Sequence, residues 1–168
     1  MDGVSPAGER VVVFDDDHYY MGGVLAERLA RDGHRVTLVT PAARVSEWTV
    51  NTMEQHRIAK RLMELDVAML LSQTLAGASS EAARLACVYT EREQELACDA
   101  IVLVTARLPR DSIAADLEAR REQWDSAGLR SVRAIGDASA PSTIAAAVWD
   151  GHRYAEELDR PDAGDDVR

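Results

Sequence analysis

Apolar positions in this chain fall into short unbroken runs separated by stretches with helical spacing, and that alternation predicts an α/β region. Val11-Val12-Val13-Phe14 carries no polar residue, the pattern of a strand buried on both faces. Leu25 and Leu29, with the small Ala26 and Ala30, then make a stripe that Glu27, Arg28 and Arg31 flank from outside. Gly33 supplies the left-handed residue that closes a helix, and Arg35 to Thr40 is the next strand. Strand, helix, glycine and strand in this order form a βαβ unit with a right-handed crossover.

Beyond Pro41 the pattern loosens. A second helix is expected near Thr52 to Leu65, with Ile58, Leu62 and Leu65 on one face. Short strands follow around Ala68–Ser72 and Ala83–Tyr89, with a reversal through Glu91-Arg92-Glu93. Ala100 to Thr105 is the clearest strand in the sequence. A third helix, Ser112 to Trp124, places Ile113, Leu117 and Trp124 on a stripe, with Asp111 or Ser112 as its cap. Val132 to Ile135 reads as a final strand and Ser142 to Leu158 as a final helix. The organisation expected is a loose lead-in over 1–9, an α/β domain over 10–109, a crossover helix with a closing strand and helix over 110–158, and an acidic tail over 159–168.

Composition narrows the functions open to this fold. The chain has 168 residues, 46% of them apolar, with 19 basic against 29 acidic side chains and a net charge of −10. That balance argues against nucleic acid or an anionic membrane as partner, because phosphates would be repelled. No apolar run approaches the ~20 residues that span a bilayer, and the first residues lack the basic and apolar regions of a signal peptide. A cytoplasmic chain with reduced thiols is therefore expected. Cys87 and Cys98 cannot by themselves supply an iron–sulphur cluster or a four-ligand zinc site. They read as structural thiols, and Trp48, Trp124 and Trp149 as packing residues. His34, His56 and His152 have no nucleophile or second ligand at recognisable spacing, so neither a catalytic residue nor a metal site is expected.

The first strand-to-helix turn carries the sharpest chemical signal. A dinucleotide-binding βαβ unit reads G-x-G-x-x-G there, so that backbone N–H groups can approach a pyrophosphate at the helix N-terminus. Those three places fall on Asp15, Asp17 and Tyr20, in the run Asp15-Asp16-Asp17-His18-Tyr19-Tyr20-Met21-Gly22-Gly23. Like charges ~4 Å apart oppose binding by ~4 kcal/mol at an effective dielectric near 20, whereas the helix dipole returns at most ~2 kcal/mol. The acidic residue that should hold the ribose hydroxyls falls on Thr40 or Pro41. Both marks of NAD binding are thus missing. Asp15 to Asp17 can instead cap the helix and complement its dipole, the commoner use of such residues, or hold magnesium. A phosphoacceptor receiver domain would need a lysine after its fifth strand, but Lys60 lies inside a helix.

Three segments together resemble one family. Val11 to Val39 is similar to the second Rossmann-type unit of two-dinucleotide flavoproteins. Cys98 to Pro109 resembles their D-x-V-V-x-A-T-G-R-x-P strand and crossover, with Ala106 where glycine is usual. Ile135-Gly136-Asp137-Ala138, running on to Arg153, resembles their closing G-D-A motif and helix. With the acidic turn, the match over roughly residues 10 to 158 resembles the C-terminal region of the trimethylamine, dimethylamine and histamine dehydrogenases and the NADH:flavin oxidoreductases, more distantly 2,4-dienoyl-CoA reductase. The resemblance implies a Rossmann-like NAD(P)H-binding-type domain, plus the closing strand and helix of a FAD-type domain.

It also implies a parent oxidoreductase with an FMN- and iron–sulphur-bearing barrel. In that parent, the FAD-type domain holds ADP, the NAD(P)H-type domain is idle, and electrons leave for an electron-transferring flavoprotein. Gly136, Asp137 and Ala138 would be half of a FAD or ADP site, the other reading of Asp137 being a cap on the final helix. No cofactor is expected in this chain alone, which would be catalytically inert and serve by folding against the flavin-bearing barrel. The alternatives are a working NAD(P)H- or FAD-binding domain that tolerates the acidic loop, and a cofactor-free protein-interaction module.

Overall fold

In a computed structural model the described residues are 5–158; the tail over 159–168 and the first four residues of the lead-in lie outside them. The chain forms two compact units, the first ending at Ala106 and the second beginning at Arg107.

The first unit is built on β1 (Arg10–Asp15), which is apolar from Val11 to Phe14 because it is covered on both sides. It pairs in parallel with β2 (Arg35–Thr40) on one side and β7 (Ala100–Val104) on the other. Beyond β2 lies β3 (Ala68–Leu71), also parallel, so the sheet runs β3-β2-β1-β7. Alternate side chains of a strand face opposite ways, and the packing follows that period. Val11 and Val13, with Val36 and Leu38, meet helix α1 (Tyr20–Arg31) through Ala26 and Leu29, and α2 (Gln55–Glu64) through Leu62. Val12, Phe14 and Val39 instead meet Ala83 and Leu85 of an antiparallel sheet on the other face. That sheet is β4 (Gln73–Ala78), β5 (Ala82–Cys87) and β6 (Glu93–Ala97), in order. Burying each large aliphatic side chain contributes roughly 1.5–3 kcal/mol.

The βαβ unit has the expected limits, and Gly33 sits at φ 95° just past α1, where His34 N–H closes on the Leu29 carbonyl. Elsewhere the structure differs from the sequence reading. The second helix starts at Gln55 rather than Thr52, because Met53 takes a left-handed φ of 60° and the Thr52 hydroxyl donates to the Glu54 carboxylate. Strands β4 and β6 were not anticipated, and β5 stops at Cys87 instead of reaching Tyr89. The first, QTLAGA, is mostly half-buried, and the second, EQELA, is mostly exposed. The single face that packs offers too few apolar positions to show a period.

In the second unit, α3 (Ser112–Glu118) ends early and gives way to a 3-10 turn over Arg121–Gln123 and the one-turn α4 (Trp124–Ala127). The expected continuous helix is broken there. Trp124 is buried, with its indole N–H on the Leu117 carbonyl, while Ile113 stays 76% exposed. Asp111 is the N-cap residue of α3 but makes no side-chain capping bond. Val132 to Ile135 is not a strand, since no strand among the described residues lies beside it to complete a ladder. The last helix is α5 (Ile144–Glu157), capped by the Thr143 hydroxyl accepting from the Ala146 N–H.

Candidate functional site

The candidate site is the turn between β1 and α1, at the carboxyl end of the parallel sheet, where open α/β sheets bind their ligands. Asp15 is the last residue of β1 and is fully buried. Its side chain folds back beneath the turn instead of pointing outward. Oδ1 accepts hydrogen bonds from the Asp17 and His18 backbone N–H groups, each at 3.2 Å. Oδ2 is buried without a hydrogen-bond partner. Burial pushes the Asp15 carboxyl above the usual carboxylate range, against the opposing pull of the His18 N–H, the His18 charge and the Asp17 N–H.

Gly22, in the first turn of α1, makes room for this side chain. A Cβ at Gly22 would lie 2.3 Å from Asp15 Cγ and 2.4 Å from Oδ2. The carboxyl therefore fills the space beneath the helix N-terminus, and two of the amides that would face an anion are already spent on it. The acid triplet does not cap α1: its first turn holds no acidic residue, and its N-cap, Tyr19, makes no side-chain bond. Nor do three charges converge on the cradle. Asp16 is half exposed and 3.5 Å from His18 Nε2, while Asp15 faces inward. The feature the structure shows at this turn is filling by one carboxyl, not the convergence of three charges expected from the sequence. Tyr20 is exposed and stands edge-on to Tyr19, 5.0 Å between ring centres.

The segment after β2 completes the closure. Thr40, at the place of the ribose-binding acid, is fully buried, and its hydroxyl lies 3.4 Å from His18 Nδ1. His18 takes a left-handed φ of 58°, and its carbonyl accepts the Trp48 N–H at 2.9 Å. Ser46, also left-handed at φ 49°, is fully buried beside Gly23, with its hydroxyl unpartnered. Non-glycine residues held there cost of order 1 kcal/mol each and persist only where surrounding contacts enforce them. Sequence reasoning missed the buried Ser46 and Thr49 because their signal is tertiary, and Trp48 and Trp149, expected to pack, are 61% and 63% exposed; nothing in the run Ala43 to Val50 marks it as a strap over the first turn.

In the second unit the Gly136-Asp137-Ala138 segment is a 3-10 turn. Asp137 is exposed and its Oδ1 accepts the Ser142 N–H at 3.2 Å, bracing the approach to α5 rather than capping the helix itself. The Gly136 N–H is taken by Asp150 Oδ2 at 2.7 Å, and the other Asp150 oxygen pairs with Arg153. Those two partners hold the Asp150 carboxyl below the usual range. Asp150 was not singled out from the sequence, where it is one acid among many on a helix.

The cysteines are both free. Cys98 is buried and its thiol is pushed up by burial; Cys87 is partly buried and is drawn down by hydrogen bonding at Thr90 and Tyr89. Among the described residues, no group of three or more His, Cys, Asp or Glu side chains is placed to hold a metal ion. No helix among them is long and apolar enough to cross a membrane.

The turn between β1 and α1 is thus filled by its own Asp15 carboxyl, on a parallel sheet backed by an antiparallel one. Residues 1–97 match the model of the OYE-like second alpha/beta domain, and the chain belongs to that family. It is 30% identical over 179 aligned positions to dimethylamine dehydrogenase of Hyphomicrobium sp. (strain x), covering 96% of this chain and 24% of that protein. Histamine dehydrogenase from Rhizobium sp. 4-9 is 48% identical with a TM-score of 0.87, over 96% of this chain and 25% of that one. The 6-hydroxypseudooxynicotine amine oxidase from Pseudomonas geniculata N1 is 38% identical with a TM-score of 0.82, over 90% and 22%. The chain thus spans about a quarter of the length of the relatives it matches, and those relatives are oxidoreductases of amines.

Proposed function

We propose that this chain is the C-terminal nucleotide-binding-type region of an amine-dehydrogenase-like flavoprotein oxidoreductase, with a dinucleotide site that no longer takes a dinucleotide. The 10–109 region is read as the NAD(P)-type Rossmann-like unit of a two-dinucleotide flavoprotein, and 110–158 as the crossover and closing segment of a FAD-type domain. The observation that carries the reading is the Asp15 carboxyl occupying the cradle under α1. The diphosphate of NAD(P)H does not fit the residues present, and no step is assigned to it.

The FMN and iron–sulphur chemistry belongs, on this reading, to a barrel that this chain meets as domain or subunit. Two free cysteines supply no cluster here. A FAD or ADP half-site at Gly136 to Ala138 is compatible with the exposed Asp137, whereas the Gly136 amide is already engaged by Asp150. The apolar side of α5 favours a docking role: Ile144, Val148 and Trp149 are 85%, 55% and 63% exposed. On this account the unit contributes shape to the assembled enzyme and to an acceptor surface for an electron-transferring flavoprotein.

The test is titration of the purified chain with NADH, NADPH, FAD and ADP, followed by co-expression with a barrel-bearing partner. Binding of each nucleotide at millimolar strength or weaker, together with a yellow co-purifying complex, is expected. A micromolar NADH isotherm would remove the reading in favour of a working NAD(P)H domain. A colourless chain that never associates with the barrel would favour a cofactor-free interaction module.

A further inference from the structure

We infer that Ser5 to Glu9 is a clasp that opens and closes as one element, apart from the core of the first unit, with the Asp99 carboxylate as its fastener. The sequence reads this stretch as part of a loose lead-in, but the structure fastens it. Asp99 stands just before β7, beside the first residue of β1, at the opposite end of the sheet from the turn that Asp15 fills. Its Oδ2 accepts the Glu9 and Arg10 backbone N–H groups at 3.0 and 2.8 Å. Its Oδ1 accepts Arg10 Nε and Nη2 at 3.2 and 2.6 Å, and the Asp99 N–H donates in return to the Arg10 carbonyl. Bonds to an ionised carboxylate are stronger than neutral ones. The Arg10 guanidinium and the two amides hold this carboxyl well below the usual carboxylate range. Between Ser5 and Glu9 no side chain is buried, whereas every residue from Val11 to Asp15 is. A segment with exposed hydrogen bonds and no buried apolar contact opens at far lower free energy than the core beside it.

Gly8 lets the backbone lie against the fastener. It takes a left-handed φ of 84°, and a Cβ there would meet Asp99 Cβ at 2.3 Å and Oδ2 at 2.9 Å. Further out, His34 Nδ1 donates to the Gly8 carbonyl at 3.0 Å, and Nε2 lies 3.1 Å from the Ser5 hydroxyl. The Glu9 carbonyl accepts the Arg35 N–H at 2.8 Å, and the two side chains pair at 3.1 Å. These outer contacts are exposed, and an exposed ion pair contributes little alone. Asp99 is the group that gathers both the Glu9 and the Arg10 amides. Closed, the clasp carries the chain into β1 in a fixed direction; without the Asp99 charge it becomes a free tether.

The test is amide hydrogen exchange on the native chain, Asp99→Ala and Asp99→Asn. In Asp99→Ala the Glu9 and Arg10 amides are expected to lose protection at least about tenfold, while those of Val12 to Phe14 keep theirs. Asp99→Asn keeps an acceptor oxygen without the charge and is expected to fall between the two. Unchanged protection of Glu9 and Arg10 in either variant overturns the inference. So does an equal loss at Val12 to Phe14, since Asp99 would then hold the whole unit and not a separate clasp. If Asp99→Ala does not fold, Gly8→Ala takes its place: the added Cβ displaces the carboxylate, and the same split between clasp and core is expected, with its absence overturning the inference. Failure of all three variants to fold overturns it too, because the clasp would be inseparable from the core. Cleavage after Glu9 by a glutamate-specific protease gives a second readout, expected to be at least about tenfold faster in the folded Asp99→Ala chain than in the native one. Equal rates would contradict an opened clasp.

Discussion

The two units spend their apolar residues in opposite ways. Among the described residues, every buried core side chain except Trp124 lies in the first unit. There β1 is shared between a helical layer and an antiparallel sheet, and the fold is complete by its own means. The second unit places Leu108, Ile113, Ile144 and Trp149 at 86%, 76%, 85% and 63% exposure. Its helices hold together through local bonds such as Thr143 to Ala146 and Asp150 to Gly136. The first unit has turned inward even at the place where its fold type offers a ligand site, and the second presents apolar surface outward. The buried core therefore lies in the first unit and exposed apolar surface in the second.

The largest expected effect that could break this contrast is in the core. Leu38→Ala, at a fully buried position facing α1 and α2, should cost about 3 kcal/mol in urea unfolding. Ile144→Ala should cost less than about 0.5 kcal/mol. Comparable losses at the two positions would show that the second unit has a core of its own.

A smaller effect sharpens the site. Gly22→Ala ordinarily gains about 1 kcal/mol in a helix interior. Here the added Cβ meets Asp15 at 2.3 Å, so a loss of about 1–3 kcal/mol is expected. In an Asp15→Ala background the same change should turn neutral or stabilising. A double-mutant cycle showing no coupling would mean the carboxyl does not fill that space.

The pH dependence divides along the same line. Asp15 has a raised carboxyl pKa in the folded state, so its contribution is fully present below the unfolded carboxylate value. That contribution is lost as pH rises through the raised folded value. Asp15→Asn should flatten that decline when urea midpoints are compared from acid to neutral pH. Asp150 has a lowered pKa, so its contribution stands above the unfolded value and is lost as pH falls through the lowered one. The smallest effect is local: Asp150→Ala should abolish hydrogen-exchange protection of the Gly136 amide while the first unit's amides keep theirs.

The sequence showed what periodicity can carry. The βαβ limits, β7 and the glycine end of α1 follow from apolar runs and from Gly33. What it did not show depended on partners distant in the chain. β4 and β6 are strands because β5 lies between them, and Val132 to Ile135 is not one because nothing among the described residues pairs with it. At the site, the run Asp15 to Asp17 departs visibly from the glycine pattern of a phosphate loop, but the inward turn of Asp15 was not legible. Whether an acid at a strand end points outward as a charge or inward as a plug depends on Gly22 and on the strap around Ser46, which no local pattern specifies.

The most direct test of the closed cradle is a nuclear magnetic resonance titration of the native chain, following the Asp17 and His18 amide signals. Closure predicts that both signals move with pH as the Asp15 carboxyl titrates, and that both stay fixed as NADH is raised into the millimolar range. Saturable movement of those two signals at micromolar NADH would contradict it.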